Sequence, residues 1–369
     1  MTKNGLVEHF DVIVVGGGIA GLSTAWHLAR AHRRVCVLER DWACATRASG
    51  LNAAIFRQLD FDRPGVQLAH RSRALMAELS ATPLVRETGA LYLADAHRLD
   101  EATVHLAAVG VTAQRWGRAE LRVRLPHLAS DGPGVFIPSD GVIDLHGVVQ
   151  ALQHALQGAG VPVRTSTEVT ALTRGDDGWR VTTPRSELSG AQLVLAGGAW
   201  GAGLGALVGA PVPLTPRRRH LVLLETPSGL EAPVVWRLHE GREVYFRPES
   251  GGALASPCDE TDWQPGLGEV PSDEQALQSL AELLHDFEPR LATSSVRRFW
   301  GCLRTFTPDR DFLAGADPRA PGVFWAAGLG GRGMTCGLAL GEVVAAAVLG
   351  QSHPLHEALA PARFTAPRS

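Results

Sequence analysis

The sequence predicts an α/β fold in which a Rossmann-like domain is interrupted by a second, α+β domain built on an antiparallel sheet. Three observations carry that expectation. Residues 11–40 run strand, glycine turn, helix and strand, the order of a βαβ unit. A second glycine-rich turn, GLGGRGM (328–334), precedes an apolar helix near the end of the chain. Between them, residues 212–256 alternate apolar and polar side chains over several short runs, as a half-exposed antiparallel sheet does.

In the first unit, Asp11–Val15 is a β-branched run suited to a buried parallel strand. Gly16, Gly18 and Gly21 form G-x-G-x-x-G: the first permits the tight turn, the second lets backbone approach a pyrophosphate, and the third lets helix pack on strand. The helix N-terminus, at Ile19 and Ala20, offers free N–H groups and the positive end of its dipole to phosphates. Val35–Leu38 is the second strand. Glu39 follows it, about 20 residues past the turn, where a carboxylate accepts hydrogen bonds from ribose hydroxyls and repels a 2′-phosphate. An adenine dinucleotide is the expected ligand.

Further along, helices are expected near 64–80, at 97–109, at 118–125 and at Leu145–Gly158, with a strand at Ala90–Ala94. Strands at Pro162–Thr165, Glu168–Arg174 and Gly178–Thr183 are divided by a Gly-Asp-Asp-Gly turn, and Leu193–Ala196 is a buried strand ending in GGAW. Leu221–Glu225, Val234–Leu238, Val244–Pro248 and Ala253–Ser256 make the antiparallel sheet. A helix at Ser272–His285, a strand at Gly322–Ala327 and the helix Thr335–Leu349 complete the pattern. The nucleotide domain is therefore expected at 9–82, 140–212 and 302–365, and the substrate domain at 83–139 and 213–301.

At 369 residues the chain can bury two cores. A net charge of −3 gives no reason to invoke nucleic acid; the basic run Arg217–His220 is a local exception. Five scattered cysteines without C-x-x-C spacing argue against a zinc site or a disulfide framework. No apolar run approaches a membrane span, and MTKNGLVEHF has no signal-peptide core, so a cytoplasmic protein is expected.

DVIVVGGGIAGLSTAWHLA, Glu39, ASGLNAA (48–54), VLAGGAW (194–200), GCLRTFTPDRDFLAG (301–315) and FWAAGLGGRGMTCGLALGE (324–342) together resemble the D-amino-acid oxidase superfamily of FAD-dependent enzymes, almost end to end. PLTPRRRHLVLL (213–224) and VYFRP (244–248) look most like its bacterial D-arginine dehydrogenase branch. The resemblance implies FAD. Its ADP half would be held at Gly16–Gly21, Glu39 and Arg40, with the Val169 backbone near adenine and Gly197, Gly198 and Trp200 close by. Ser49, Asn52 and Ala53 would line one side of the flavin. Gly330, Gly331, Arg332, Gly333, Met334 and Thr335 would approach the ring, the helix dipole stabilising charge that develops on reduction. Non-covalent binding is the expectation. A bond at Cys302, seven residues before Asp309 as in monomeric sarcosine oxidase, is the alternative.

The resemblance also assigns substrate residues. Arg304, in G-x-R-x-x-T-P-D, would grip the substrate α-carboxylate through its planar fork. Tyr245 would contact the carboxylate or amine. One arginine of Arg217–Arg219 would point inward, and the branch favours Arg218. Arg47 aligns roughly with a histidine of a mobile loop in that branch. Where the arginine-specific enzyme has an acid, Gly89–Ala90 stand here, so a neutral amino acid is expected. The implied reaction is oxidation of a Cα–N bond to an imine by hydride transfer to flavin N5, then hydrolysis to a 2-oxo acid, with oxygen or a quinone as final acceptor. Rival readings are a flavin monooxygenase, which shares the first fingerprint, and a biosynthetic oxidase of a modified or tethered amino acid.

Overall fold

The computed structural model describes residues 7–130, 132–225, 230–266 and 268–365. The first six residues, part of the segment read above for a targeting signal, lie outside it.

The nucleotide part is built on an eight-stranded sheet. Glu8–Val15 lies between Glu187–Leu195 and Val35–Leu38, parallel to both, with Val15 opposite Leu195 on one side and Leu38 on the other. Because successive strand residues face opposite sides, Val12 and Val14 point into one apolar layer while Ile13 and Val15 point into another. Both faces are covered, which is why this segment reads as a continuous apolar run. Helices Ile19–Arg30, Leu145–Gly158 and Gly333–Val348 form one covering layer.

Among the described residues the second sheet has nine strands and draws on residues 90–137 and 215–306. Val234–His239, Arg242–Glu249 and Gly252–Ser256 pair antiparallel in turn, and Gly252–Ser256 pairs with Thr215–Glu225. Ala90–Leu93 joins this sheet parallel to Val234–His239. The sheet is thus mixed rather than wholly antiparallel, because two segments separated in sequence share it. A small third sheet joins Ile55–Phe56, Gly141–Ile143 and Val85–Arg86.

Most expected elements form with ends shifted by one to three residues. The helix expected at 272–285 spans Glu274–Phe287, since the Asp273 carboxylate accepts from Gln275 N at 3.0 Å and sets its start. One element absent from the sequence reading matters most. Val296–Phe306 is an eleven-residue strand paired with Thr215–Glu225. Its first half is exposed and its second half buried on both sides, so no two-residue alternation marks it.

Candidate active site

Parallel pairing makes Glu8–Val15 and Glu187–Leu195 end together, so the loops that follow meet. A Cβ on Gly16 would stand 2.4 Å from the Ala196 carbonyl oxygen, and one on Gly21 would stand 1.9 Å from that of Gly16. Neither position accepts any other residue. At Gly18 the nearest atom to such a Cβ is Ser49 Oγ at 3.3 Å, so backbone is open to a ligand there. The Ile19–Arg30 helix begins with Gly18 at its N-cap and no side-chain cap; Ser49 Oγ accepts from Ile19 N at 3.0 Å. Ala20 is buried in this first turn.

Glu39 closes the cradle. Its two carboxylate oxygens accept from Gly17 N at 2.7 Å and Asp41 N at 2.8 Å, which fixes the side chain beside the glycine turn. Arg40 lies over the Trp200 ring at 4.0 Å, and Gly198 adopts φ +53 just before it. Gly197 packs against Leu204. Val169 is half-buried in the loop whose Thr167 N donates to the Glu39 carbonyl at 2.8 Å. Arg47, by contrast, pairs with Asp41 at 2.6 Å and donates to the Gly268 carbonyl, outside the cavity described below.

The second glycine turn lies beside the first. The Ile19–Arg30 and Gly333–Val348 helices run parallel in close contact: a Cβ on Gly337 would stand 2.8 Å from Ile19, and one on Gly341 would stand 2.2 Å from Ser23 Oγ. Ser23 Oγ donates to the Leu338 carbonyl at 2.9 Å. Two helix N-termini therefore point the same way, and their positive ends add. Gly333, Gly337 and Gly341, spaced by four, were a readable signal for this packing. Thr335 Oγ1 donates to the Ile55 carbonyl at 3.1 Å and ties the helix start to the 48–56 segment. Within that segment Asn52 bonds the Ala48, Ser49 and Ala54 backbone, holding its shape.

A cavity of about 500 Å³ opens between this turn and the second sheet. Asn52, Ala53, Gly330, Gly331, Met334 and Thr335 line one side; Tyr245, Trp236, Arg219 and Arg304 line the other. Arg304 is buried, with Nη1 donating to the Leu303 carbonyl at 3.0 Å and Nη2 to that of Leu51 at 3.4 Å. Among the described residues it has no ion pair. Asp309, a ready sequence partner, pairs with Arg363 instead at 2.8 Å. Tyr245 is buried with its ring 4.4 Å from that of Trp236; burial pushes its hydroxyl pKa up, so it remains a donor.

Several expected positions are corrected. Arg218 does not reach the cavity. Its guanidinium stacks on Trp263 at 4.6 Å and pairs with Asp273 at 2.5 Å on the opposite face of the sheet. Strand register decides this: Arg217 opposes Arg304 and Arg219 opposes Cys302, so residues 217, 219, 302 and 304 share one face. Arg219 is the cavity residue, and it would have been found had 296–306 been read as a strand. Arg332 lines the cavity, and its guanidinium is already engaged within the protein. It pairs with Asp60 at 2.8 Å and with Asp62, donates to the Arg310 carbonyl and stacks on Phe312, clasping two loops at the cavity mouth. Cys302 is buried beneath the wall and its thiol donates to the Arg219 carbonyl at 3.2 Å. Gly89 packs on Phe136 and Ala90 is fully buried, neither on the cavity, so their lack of charge does not report on the substrate. Beside Arg304 and Arg332, cavity charge comes from Arg219, one of the three arginines left open in the sequence, and from Arg57 and Glu243, which the sequence reading did not single out.

A glycine turn that only backbone fits, an acid beside it, and a second helix N-terminus aimed into an arginine-bearing cavity define a nucleotide-dependent enzyme of the flavoprotein class. The chain matches the FAD dependent oxidoreductase family over residues 11–347 and belongs to that family. It is 27% identical over 343 residues to glycine oxidase of Geobacillus kaustophilus, covering 88% of each chain. To human peroxisomal sarcosine oxidase it is 26% identical over 362 residues, 91% of each. The crystal structure of the Geobacillus kaustophilus glycine oxidase superimposes with a TM-score of 0.80 at 25% identity, over 94% of this chain and 96% of that one. L-Proline dehydrogenase from P. horikoshii superimposes with a TM-score of 0.87 at 22% identity, over 98% and 99%, a likeness of fold. The enzyme is an FAD-dependent oxidoreductase, and the residues present fit that cofactor: open backbone at Gly18, the Glu39 carboxylate beside the turn and the cavity-lining turn at 330–331 are all in place. Among the described residues no helix is long and apolar enough to cross a membrane.

Proposed function

We propose that this enzyme oxidises the Cα–N bond of a D-, N-alkyl or glycine-like amino acid to an imine, which water then hydrolyses to a 2-oxo acid. One observation carries the reading. Arg304 is a buried guanidinium on the cavity wall that donates to carbonyls and, among the described residues, has no ion pair, and a buried cation without an anion is costly until a carboxylate arrives. Its fork would hold the α-carboxylate and place the Cα–N bond facing the 330–331 turn. Tyr245, held protonated by burial, would donate to the carboxylate or amine. FAD, when bound non-covalently, supplies the two-electron acceptor, with oxygen or a quinone as its partner in turnover. No protein base is required for a substrate that arrives with its amine neutral.

The test is anaerobic mixing of the purified yellow protein with D-, L- and N-methyl amino acids while flavin absorbance is followed. Bleaching is expected for some members and none for the matching carboxylic acids without nitrogen. If no amine bleaches the flavin, the reading fails. Re-admission of air then separates an oxidase from a dehydrogenase.

A further inference from the structure

We propose that the substrate carries a second carboxylate and that Arg219 is the residue that selects it. This rests on the amine-oxidation reading and adds the substrate class.

The observations concern charge and unsatisfied donors on one wall. Glu260 is a single carboxylate holding three guanidinium groups: Arg219 Nη2 at 2.6 Å, Arg310 Nη2 at 2.7 Å and Arg217 Nη1 at 2.9 Å. Asp262 relieves Arg217 at 3.1 Å, from an exposed position. Glu243 also faces Arg219 as well as Arg57, and it accepts the indole N–H of Trp236; Asp259 lies near Arg219 too and pairs with His220 at 2.7 Å. Each acid near Arg219 is thus shared with another group. Its side chain is 9% exposed, it lines the cavity, and its Nε is buried with no hydrogen-bond partner among the described residues. A buried N–H left unpaired is costly, more so on a charged group, and an acceptor that reaches it removes that cost.

Geometry separates this cation from Arg304. Arg219 opposes Cys302, two residues from Arg304, so the two arginines are diagonal neighbours on one face, about 7–8 Å apart in such pairs and somewhat less between Cβ atoms. They are also anchored in different directions. Arg304 is tied to the Leu51 and Leu303 carbonyls and lies against Gly331, while Arg219 is tied to Glu260. Two forks held apart accept two carboxylates, one α to the reacting nitrogen and one on the side chain or the N-substituent. The neutral substrate expected from residues 89–90 is replaced by an acidic one.

The experiment compares isosteric pairs on the FAD-loaded protein: aspartate with asparagine and glutamate with glutamine in both configurations, and N-carboxymethylglycine with N-methylglycine. Anaerobic flavin reduction is expected to favour the dicarboxylate member of at least one pair by about 100-fold in kcat/KM. R219Q is expected to collapse that preference to about threefold or less, because the rejected neutral analogue and the acid then meet the same wall. Should R219Q fail to retain flavin, R219K is used: it keeps the charge but loses the fork, and the preference should fall without vanishing. No preference for the acids in the wild type overturns the proposal. So does an R219Q enzyme that slows both members equally with preference intact, since Arg219 would then share the first carboxylate. A parallel titration of the oxidised protein with succinate and with butyrate, read by the flavin difference spectrum, separates the two readings. Tighter succinate binding that R219Q abolishes, with no amine oxidised, leaves the second-carboxylate site standing while the proposed reaction falls. Equal binding of the two acids overturns the site.

Discussion

Gly331 lies so close to Arg304 that a Cβ placed on it would stand 3.1 Å from the arginine Cδ. Gly331 also adopts φ +88, a region that side chains avoid. The turn expected to approach the flavin and the arginine expected to grip the substrate are thus packed against each other, one strand end against one helix start. Gly330 N donates to the Thr305 carbonyl at 3.0 Å, which fixes that contact in register.

Gly331→Ala should strain the turn by about 1–2 kcal/mol and push Arg304 off its position. We expect kcat/KM for the preferred amine to fall by roughly tenfold or more, with FAD still bound. Steady-state kinetics beside the flavin spectrum checks this; an unchanged kcat/KM would show that the contact does not position Arg304.

Arg304→Ala removes the proposed carboxylate fork, an effect of about 2–5 kcal/mol on substrate affinity. Arg304→Lys should recover only part of it, because a point charge does not reproduce the bidentate geometry. Both variants should keep their flavin. Wild-type KM and kcat in Arg304→Ala would sink the assignment.

Glu39→Ala deletes the acceptor that braces Gly17 N and is proposed to hold the ribose hydroxyls. Charge-assisted hydrogen bonds of this kind contribute about 1.5–3 kcal/mol, so FAD affinity should fall by one to two orders of magnitude. The ratio of flavin to protein absorbance after dialysis, with a fluorescence titration of the apoprotein, gives the number. Undiminished retention of FAD would place the ribose elsewhere.

Arg332→Met would leave Asp60 and Asp62 facing each other without their shared cation. Removing one partner of a buried pair costs about 3–5 kcal/mol, so a marked fall in melting temperature is expected. Arg332→Lys should restore much of it. A melting temperature unchanged in Arg332→Met would mean that the clasp contributes no stability.

Asp140 gives a pH signature. It is fully buried, and burial raises its carboxyl pKa from 3.8 to about 6 against the opposing hydrogen bonds from Tyr92 (2.6 Å) and Gln58. Between those two values the folded state holds a proton that the unfolded chain has released. Stability therefore falls as pH rises through that window, by up to about 3 kcal/mol. Asp140→Asn, whose amide oxygen still accepts from Tyr92, should lack this slope. Denaturant titrations of both proteins across the window test it; parallel curves would refute it.

What could be read in the sequence, and what could not, follows one physical line. The cradle at Gly16–Gly21 and Glu39 was readable because its requirements are local: a turn no side chain fits, a helix start, and an acid at fixed spacing on the next strand. Arg304 and the 328–334 turn were readable through resemblance, as motifs whose roles the family supplies. The choice between Arg218 and Arg219 was not, because it depends on which face of a strand meets the cavity. That face is set by pairing with Val296–Phe306, a strand without alternation and some eighty residues away.

The charge of the site lay further out of reach. Sequence comparison looked for a substrate-facing acid at residues 89–90, whereas folding turns those residues into the core and brings Arg57, Arg219 and Glu243 to the cavity from three separate segments. Likewise Arg332 reads as part of a cofactor loop, yet Asp60 and Asp62, some 270 residues earlier, claim its side chain. Sequence by itself determined the nucleotide fold, since backbone turns and strand periods are short-range, and its resemblance to a known family implied the class of chemistry. Tertiary structure alone decided which cations line the cavity and which are already paired, since ion pairing depends on distances that chain order does not encode.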